Sequence, residues 1–161
     1  MARYTVIIGR SEVVDIIGTA LDIPAKVDTG AYRSSIHASD IKIKKNADGN
    51  DVLSFFILGH PCSSVKRDLQ TSDFDMVRVR SSNGQEQDRY EVKLKIKLGN
   101  KIFTTSFSLA DRSNNLFPIL IGRKTMKNRY LVDATLTNVN KQQMINDFGI
   151  AIPRDEEDLE D

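Results

Sequence analysis

The chain contains 161 residues, of which 40% are hydrophobic, and its 23 lysines and arginines nearly balance 22 aspartates and glutamates. This length provides one proper core and is too short for two independent domains. Residues 155–161 contain six acids and no base, so the rest of the chain has a basic excess. Scattered surface lysines explain that excess better than a nucleic-acid surface, and we expect neither nucleic-acid nor membrane binding.

Cysteine content and the N-terminal sequence indicate the compartment. Cys62 is the lone cysteine, which rules out an intramolecular disulfide and fits a reducing compartment. The apolar residues 6–8 are followed by Arg10, Glu12 and Asp15, which interrupt the stretch well before signal-peptide or membrane-spanning length. We therefore expect a soluble, cytoplasmic protein held together by its core.

Short β-type runs separated by turn residues dominate the chain up to residue 110. The runs are residues 23–27, 41–43, 52–58, 76–80, 90–98 and 103–109, and turns are expected at Asp48-Gly49, Asn83-Gly84 and Gly99-Asn100. In residues 90–98 every second side chain is apolar and the four between them are charged, which is the pattern of a half-buried strand. Many short strands without a long helical period predict a β-barrel or a β-sandwich.

Helical patterns are short and lie in the last part of the chain. One short helix is predicted over residues 123–128 and another over residues 141–148. The acidic run at residues 155–161 repels itself and buries almost nothing, so we expect a disordered tail over residues 154–161. The folded domain is expected to span residues 1–153.

The segment Asp28-Thr29-Gly30 places an aspartate between a β-type run and a glycine that permits close backbone approach. An aspartic protease uses such loops in pairs: two carboxylates face each other, hold one water and share one proton. The ionised carboxylate acts as a base on the water, and the protonated one polarises the substrate carbonyl. By itself, however, the motif also fits an ordinary strand-to-turn junction.

A second element favours the protease interpretation. In Phe117-Pro118-Ile119-Leu120-Ile121-Gly122-Arg123, an apolar triplet is followed by glycine, which resembles the segment that packs beneath the catalytic loop of retropepsins. A hairpin centred on Ser81-Ser82-Asn83-Gly84 lies between the two elements, where a retropepsin has its flap. The order of these parts along the chain therefore matches a retropepsin.

Over roughly residues 10–135 the chain resembles the prokaryotic family labelled ATP-dependent zinc proteases. The resemblance is carried by Val27-Asp28-Thr29-Gly30-Ala31, Ser34-Ser35-Ile36-His37-Ala38, Ser81-Ser82-Asn83-Gly84, Leu109-Ala110-Asp111-Arg112-Ser113, residues 118–123 and Tyr130-Leu131-Val132-Asp133. It implies a mainly β, retropepsin-like (acid-protease) barrel with one or two short helices. Members of this family often accompany ATP-grasp amino-acid ligases, which makes such a ligase a candidate partner.

The resemblance also implies roles for individual residues. Catalysis is assigned to Asp28, with Thr29 tying two loops together and Gly30 presenting backbone donors. Substrate contacts are expected from Ala31 beside the catalytic loop, from two flap residues and from two residues of a cleft-wall loop: Asn83, Gly84, Asp111 and Arg112. A local ion pair between the last two residues, fixing their loop, is an equally good interpretation.

Neither ATP nor zinc is expected from the residues themselves. No Gly-x-x-x-x-Gly-Lys-Ser/Thr run is present for phosphate binding, and no His-Glu-x-x-His helix for zinc. The candidate soft ligands are His37, His60 and Cys62, and the last two belong to a segment with the features of a turn. A zinc site built from these three and an aspartate stays an alternative to the expected absence of a cofactor.

Three functions are compatible with this sequence. The leading hypothesis is an aspartic endopeptidase acting on a peptide or protein as a homodimer, because a single Asp-Thr-Gly occurs in the chain. The main alternative is a non-catalytic β module of the same fold that binds a peptide or a partner enzyme, since fold resemblance does not prove activity. A metallopeptidase is the third interpretation and depends mainly on the family label.

Overall fold

The computed structural model describes residues 6–63, 65–80, 83–140 and 142–144. Its strands are β1 (Val6–Ile8), β2 (Ser11–Ile16), β3 (Ala20–Val27), β4 (Ser34–Lys45), β5 (Asp51–Leu58), β6 (Lys66–Thr71), β7 (Phe74–Arg80), β8 (Glu86–Leu98), β9 (Lys101–Ala110), β10 (Ile119–Ile121) and β11 (Tyr130–Val132). The helix α1 spans Arg123–Met126, and residues 142–144 are also helical. The prediction of a mainly β fold with short helices is confirmed.

Six of the strands close into a barrel. The order around it is β10, β3, β2, β8, β9 and β4, and an additional antiparallel pairing joins β4 back to β10. Closure leaves these six strands without a free sheet edge. Strands β5 and β6 continue the sheet beyond β4, while β1 and β11 form a separate parallel pair.

A long hairpin, formed by residues near the middle of the sequence, extends from the barrel. Strand β7 pairs with the first part of β8, from Phe74 opposite Val92 to Arg80 opposite Glu86. The rest of β8 lies in the barrel between β2 and β9. This hairpin occupies the place in the chain where the flap-like hairpin was expected. Its strands begin at Phe74 and Glu86, before the predicted residues 76 and 90, and end at the predicted residues 80 and 98.

The barrel core explains the alternation seen in the sequence. Along β8, Val92, Ile96 and Leu98 are buried, and burying such side chains is the main stabilising contribution to the fold. The exception is Glu91, one of the charged residues expected at the surface, which is only 8% exposed. A smaller core cluster contains Cys62, Leu116, Phe117, Val139 and Met144.

The predicted turns and helices agree with the structure where it describes them. Gly49 and Gly99 adopt φ angles of 79° and 59°, which glycine reaches without steric cost. The helix predicted over residues 123–128 is shorter, at Arg123–Met126. Most of the helix predicted over 141–148, and the predicted tail at 154–161, lie outside the described residues. Across the ranges that the structure covers, no helix is long and apolar enough to span a membrane.

Candidate active site

Asp28 lies in a tight loop directly after β3. Its backbone N–H donates to the carbonyl oxygen of Ile121 at 2.9 Å, and its Oδ1 accepts a hydrogen bond from the N–H of Gly30 at 2.8 Å. Thr29 and Gly30 are exposed, and Asp28 is half-buried. The loop is therefore exposed to solvent at its tip, while its backbone is held by the hydrogen bond to Ile121.

The triplet that supports this loop is β10. It pairs in parallel with β3, with Ile121 opposite Val27, and antiparallel with β4, with Leu120 opposite Ser35. It therefore lies between the strand that leads into the Asp28 loop and the strand that follows it. The prediction that residues 119–122 pack directly beneath the loop is confirmed.

A buried hydroxyl network lies next to β10 and was not predicted from the sequence. Ser34 Oγ accepts a hydrogen bond from the N–H of Gly122 at 3.0 Å and lies 2.6 Å from Thr125 Oγ1, which lies 3.1 Å from Thr105 Oγ1. A Cβ atom on Gly122 would be only 2.5 Å from the carbonyl oxygen of Arg33. The glycine of the apolar triplet is thus needed for close backbone approach.

Three positively charged side chains lie next to the Asp28 loop. Arg123 Nη1 donates to the carbonyl oxygen of Thr29 at 3.1 Å, and its guanidinium lies 5.9 Å from the ring centroid of Tyr32. Arg33 Nη1 and Lys124 Nζ lie 2.7 Å and 3.6 Å from the two carboxylate oxygens of the buried Glu91. One carboxylate is thus shared by two of these three cations, so this surface keeps a positive charge.

Two of the predicted substrate contacts lie at the tip of the β7–β8 hairpin. Asn83 Oδ1 accepts a hydrogen bond from the N–H of Gln85 at 3.1 Å, and Gly84 has a φ of 82°. Both residues are exposed. Ala31 is placed beside Asp28, and its N–H donates to the Asp28 carbonyl oxygen at 3.3 Å. Substrate contact by these residues stays a prediction.

The other two predicted contacts, Asp111 and Arg112, follow β9. Asp111 Oδ1 accepts hydrogen bonds from the backbone and hydroxyl of Ser113 at 3.0 and 2.6 Å. The Arg112 side chain is only 9% exposed, and its Nε donates to the carbonyl oxygen of Phe117 at 2.9 Å. These bonds hold the loop that leads into β10. A role in substrate contact stays a prediction.

Two histidines pack against this loop, with ring centroids 5.3 Å apart. His60 Nε2 lies 2.8 Å from the carbonyl oxygens of both Arg112 and Asn115, and its Nδ1 accepts from the N–H of Cys62. His37 Nδ1 accepts a hydrogen bond from the N–H of Arg112 at 2.9 Å. These partners define each Nδ1 as an unprotonated acceptor.

Burial is the main cause that lowers the pKa of both imidazoles, because it disfavours the charged form. For His37 the neighbouring His60 lowers the pKa further and Asp111 opposes it. For His60 the two carbonyl hydrogen bonds oppose the lowering. The pair is therefore neutral in the folded protein near pH 7 and has a structural role in the loop.

The zinc alternative gains no support from this arrangement. Within the described ranges, no three His, Cys, Asp or Glu side chains come together in a way that could hold a metal ion. The Nδ1 atoms of His37 and His60 are both engaged by backbone donors. That zinc is dispensable stays a prediction.

The closed barrel, the exposed Asp-Thr-Gly loop and the β10 triplet beneath it together define a retropepsin-like protein. A family model described as retropepsin-like aspartic endopeptidase RimB matches residues 7–143. The chain therefore belongs to the RimB-like family. The retropepsin-like part of the sequence-based resemblance is confirmed, whereas the words ATP-dependent zinc protease find no support.

Several proteins with sequences similar to this chain are named as ligases. The chain is 33% identical over 120 residues to a "Probable alpha-L-glutamate ligase" of Shewanella pealeana, covering 71% of this chain and 26% of that protein. A protein of the same name from Desulfotalea psychrophila is 32% identical over 117 residues, covering 71% and 25%. The chain thus spans about a quarter of the length of these relatives.

A solved structure also has this fold. It is the crystal structure of Lpg0085, a protein with unknown function (DUF785) from Legionella pneumophila. The TM-score is 0.66 at 30% sequence identity, and the match covers 83% of this chain and 97% of that chain. The similarity therefore extends over nearly the whole of the Legionella protein.

Proposed function

We propose that this chain is one protomer of a homodimeric aspartic endopeptidase, in which Asp28 of each copy supplies one carboxylate. The observation that carries the proposal is the Asp28 loop, which is exposed at Thr29 and Gly30 yet bonded from below to Ile121. The chain contains a single Asp-Thr-Gly, so the second carboxylate comes from a second copy.

The proposed reaction uses one proton shared by the two carboxylates. The ionised Asp28 removes a proton from a water, whose oxygen bonds to the carbon of the scissile carbonyl, while the protonated Asp28 gives its proton to the carbonyl oxygen. The tetrahedral intermediate then breaks its C–N bond as the leaving nitrogen accepts a proton from the carboxyl group that took it from water. The other Asp28 carboxylate takes a proton back from a hydroxyl of the intermediate, which leaves a carboxylic acid and an amine and restores the shared proton. Hydrogen bonds such as that from Gly30 hold each carboxylate in position.

An acidic peptide or protein is the proposed substrate. Arg33, Arg123 and Lys124 lie beside the Asp28 loop, and Glu91 is the carboxylate that two of them share. A surface with excess positive charge attracts acidic ligands. The relatives named alpha-L-glutamate ligases suggest that these acidic groups are glutamates added to a peptide or protein.

The test compares wild-type protein with Asp28→Asn on synthetic glutamate-containing peptides, with products identified by mass spectrometry. We expect wild-type cleavage and a loss of about 100-fold to 10,000-fold in the variant, because an amide cannot act as the base. Asp48→Asn makes the same chemical change in the exposed turn before β5 and should retain activity. A variant at position 28 that cleaves like wild type would contradict the proposal.

A binding module is the second candidate function, and the ligase-named relatives favour it. Because a region similar to this chain makes up about a quarter of those proteins, the domain could position a substrate or an ATP-grasp ligase without cleaving anything. Light scattering and peptide titration separate the two functions. A monomer that binds glutamate-rich peptides and never cleaves them supports the module, whereas a dimer with cleavage supports the peptidase.

A further inference from the structure

The two faces of the β7–β8 hairpin differ in their charge pairing. Residues directly opposite each other in an antiparallel pair share a face, and alternate residues share a face along each strand. Arg78 lies opposite Asp88 on one face, while Arg89 lies opposite Val77 on the other. Arg89 is also two residues from Glu91 on β8, so Arg89 and Glu91 share a face.

Glu91 shows where that face is directed. Its carboxylate contacts Arg33, which follows the Asp28 loop, and Lys124, which lies in α1 beside that loop. Arg89 is displaced from Glu91 by about 7 Å along the strand, toward the hairpin tip. The Arg89 side of the hairpin is therefore the side that contacts Arg33 and Lys124 through Glu91, next to the candidate active site.

Arg89 differs from the arginines on the outer face. Arg78 Nε lies 3.1 Å from Asp88 Oδ1, and Arg78 Nη1 lies 3.5 Å from Glu86 Oε2. Arg89 Nη2 instead donates to the neutral Gln87 Oε1 at 3.2 Å, and in the described part of the chain no carboxylate lies within ion-pair distance of it. The side chain is half-buried, and burial lowers its pKa from the usual value.

We infer that Arg89 is a specificity-determining residue that binds a carboxylate of the substrate beneath the hairpin. A guanidinium presents a rigid fork of donors that matches a carboxylate, and partial burial strengthens such a charge-assisted pair. Among the residues that the structure describes, Gln87 is the hydrogen-bond partner of Arg89, which leaves four of its five N–H groups for a ligand. The inference rests on the proposed function, because it concerns the same cleft.

The experiment measures kcat/KM for peptide pairs that differ by Glu or Gln at one position, with the position varied along the peptide. Wild-type protein should prefer Glu at one position, and Arg89→Gln should reduce that Glu-to-Gln preference by about 10-fold to 100-fold, the size expected for one charged hydrogen-bonded contact. Arg78→Gln is the matched control, since it makes the same change on the opposite face of the same hairpin. The Glu-to-Gln preference of Arg78→Gln should equal that of the wild-type protein.

A second readout is independent of cleavage. The affinity of Asp28→Asn protein for the same Glu and Gln peptides should show the preference, and adding Arg89→Gln should remove it. If Arg89→Gln keeps the full preference in both measurements, or if Arg78→Gln loses it equally, the inference is wrong. A protein that binds Glu peptides through Arg89 but cleaves none would overturn the peptidase proposal and leave the role of Arg89 intact.

Discussion

The hydroxyl oxygens of Ser34 and Thr125 lie 2.6 Å apart, although 91 positions separate the two residues in the chain. Ser34 Oγ also accepts from the N–H of Gly122, and Thr125 Oγ1 lies 3.1 Å from Thr105 Oγ1, with either hydroxyl able to be the donor in each Ser–Thr or Thr–Thr pair. This chain of hydroxyls ties the strand after the Asp28 loop to α1 and to β9. It gives the candidate catalytic loop a rigid base.

The first prediction concerns this network. Thr125→Val keeps the shape of the side chain but removes the hydroxyl partner of both Ser34 and Thr105. The free energy of unfolding should fall by about 1–3 kcal/mol, the cost of an unsatisfied buried polar group. Thr104→Val, at an exposed position on β9, should change it by less than about 0.5 kcal/mol. Urea denaturation of both variants measures the difference, and equal effects would contradict the structural role of the network.

The second prediction concerns Gly122. A methyl group there would lie 2.5 Å from the Arg33 carbonyl oxygen and 2.8 Å from that of Tyr32, and backbone atoms cannot move aside cheaply. Gly122→Ala should destabilise the protein by about 1–3 kcal/mol and displace the adjoining loop. The control is Gly18→Ala, where nothing lies within 4 Å but φ is +76°. Both variants should lose stability, but activity per folded molecule should fall only in Gly122→Ala.

Local patterns were enough to predict the main parts of the site. The Asp-Thr-Gly loop, the apolar triplet of β10 and the hairpin turn at Gly84 each depend on a few consecutive residues, so their sequence pattern is informative. Their pairing followed from the retropepsin resemblance. The order of strands around the barrel was not predicted, since it depends on contacts between distant segments.

The features that were missed depend on long-range partners. Glu91 alternates with apolar residues like its exposed neighbours. Its burial is explained by Arg33, which is 58 positions away, and by Lys124 in α1. Strand β6 consists mostly of exposed polar residues and has no hydrophobic alternation to reveal it. Arg89 has the same appearance in the sequence as Arg78, and the register of β7 against β8 is needed to separate their faces.

The third prediction concerns pH and the two buried histidines. His37 and His60 have pKa values below the ordinary 6.5, so the unfolded chain binds protons first as pH falls. Their contribution to stability is fully present above pH 6.5 and is lost as pH falls from there toward the folded-state pKa values. Unfolding in urea at a series of pH values should show this loss begin as pH falls below about 6.5.

His60→Gln is the variant that isolates this effect. Its side-chain amide can donate to the Arg112 and Asn115 carbonyls but does not titrate. The dependence of stability on pH in this range should become shallower than in wild type. The charged groups that face the histidine pair are Asp111, Arg112 and Lys66. An unchanged slope would show that His60 is not responsible for the loss.

The fourth prediction concerns metal ions. We expect chelation by EDTA to change neither the thermal unfolding temperature nor peptide cleavage, since the candidate chemistry depends on carboxylates and water. Metal analysis of purified protein by mass spectrometry should show no stoichiometric zinc. Stoichiometric zinc whose removal abolishes function, with the same loss after changing His37 or His60, would overturn the aspartic mechanism.

The last prediction tests whether two Asp28 loops act together. If each active site needs one Asp28 from each protomer, a heterodimer of wild-type and Asp28→Asn chains holds a single competent carboxylate and should be inactive. Mixing wild-type protein with increasing Asp28→Asn protein, under conditions of subunit exchange, should therefore reduce activity more steeply than dilution does. The remaining activity should approach the square of the wild-type fraction. Asp48→Asn protein, mixed in the same way, should reduce nothing. The activity of the wild-type dimer should also follow a bell-shaped pH profile, because two facing carboxylates titrate as a coupled pair of which one must be ionised and one protonated. Light scattering is the control that the protein forms dimers. If activity in such dimers falls only in proportion to dilution, each protomer works alone and the paired-aspartate mechanism is wrong.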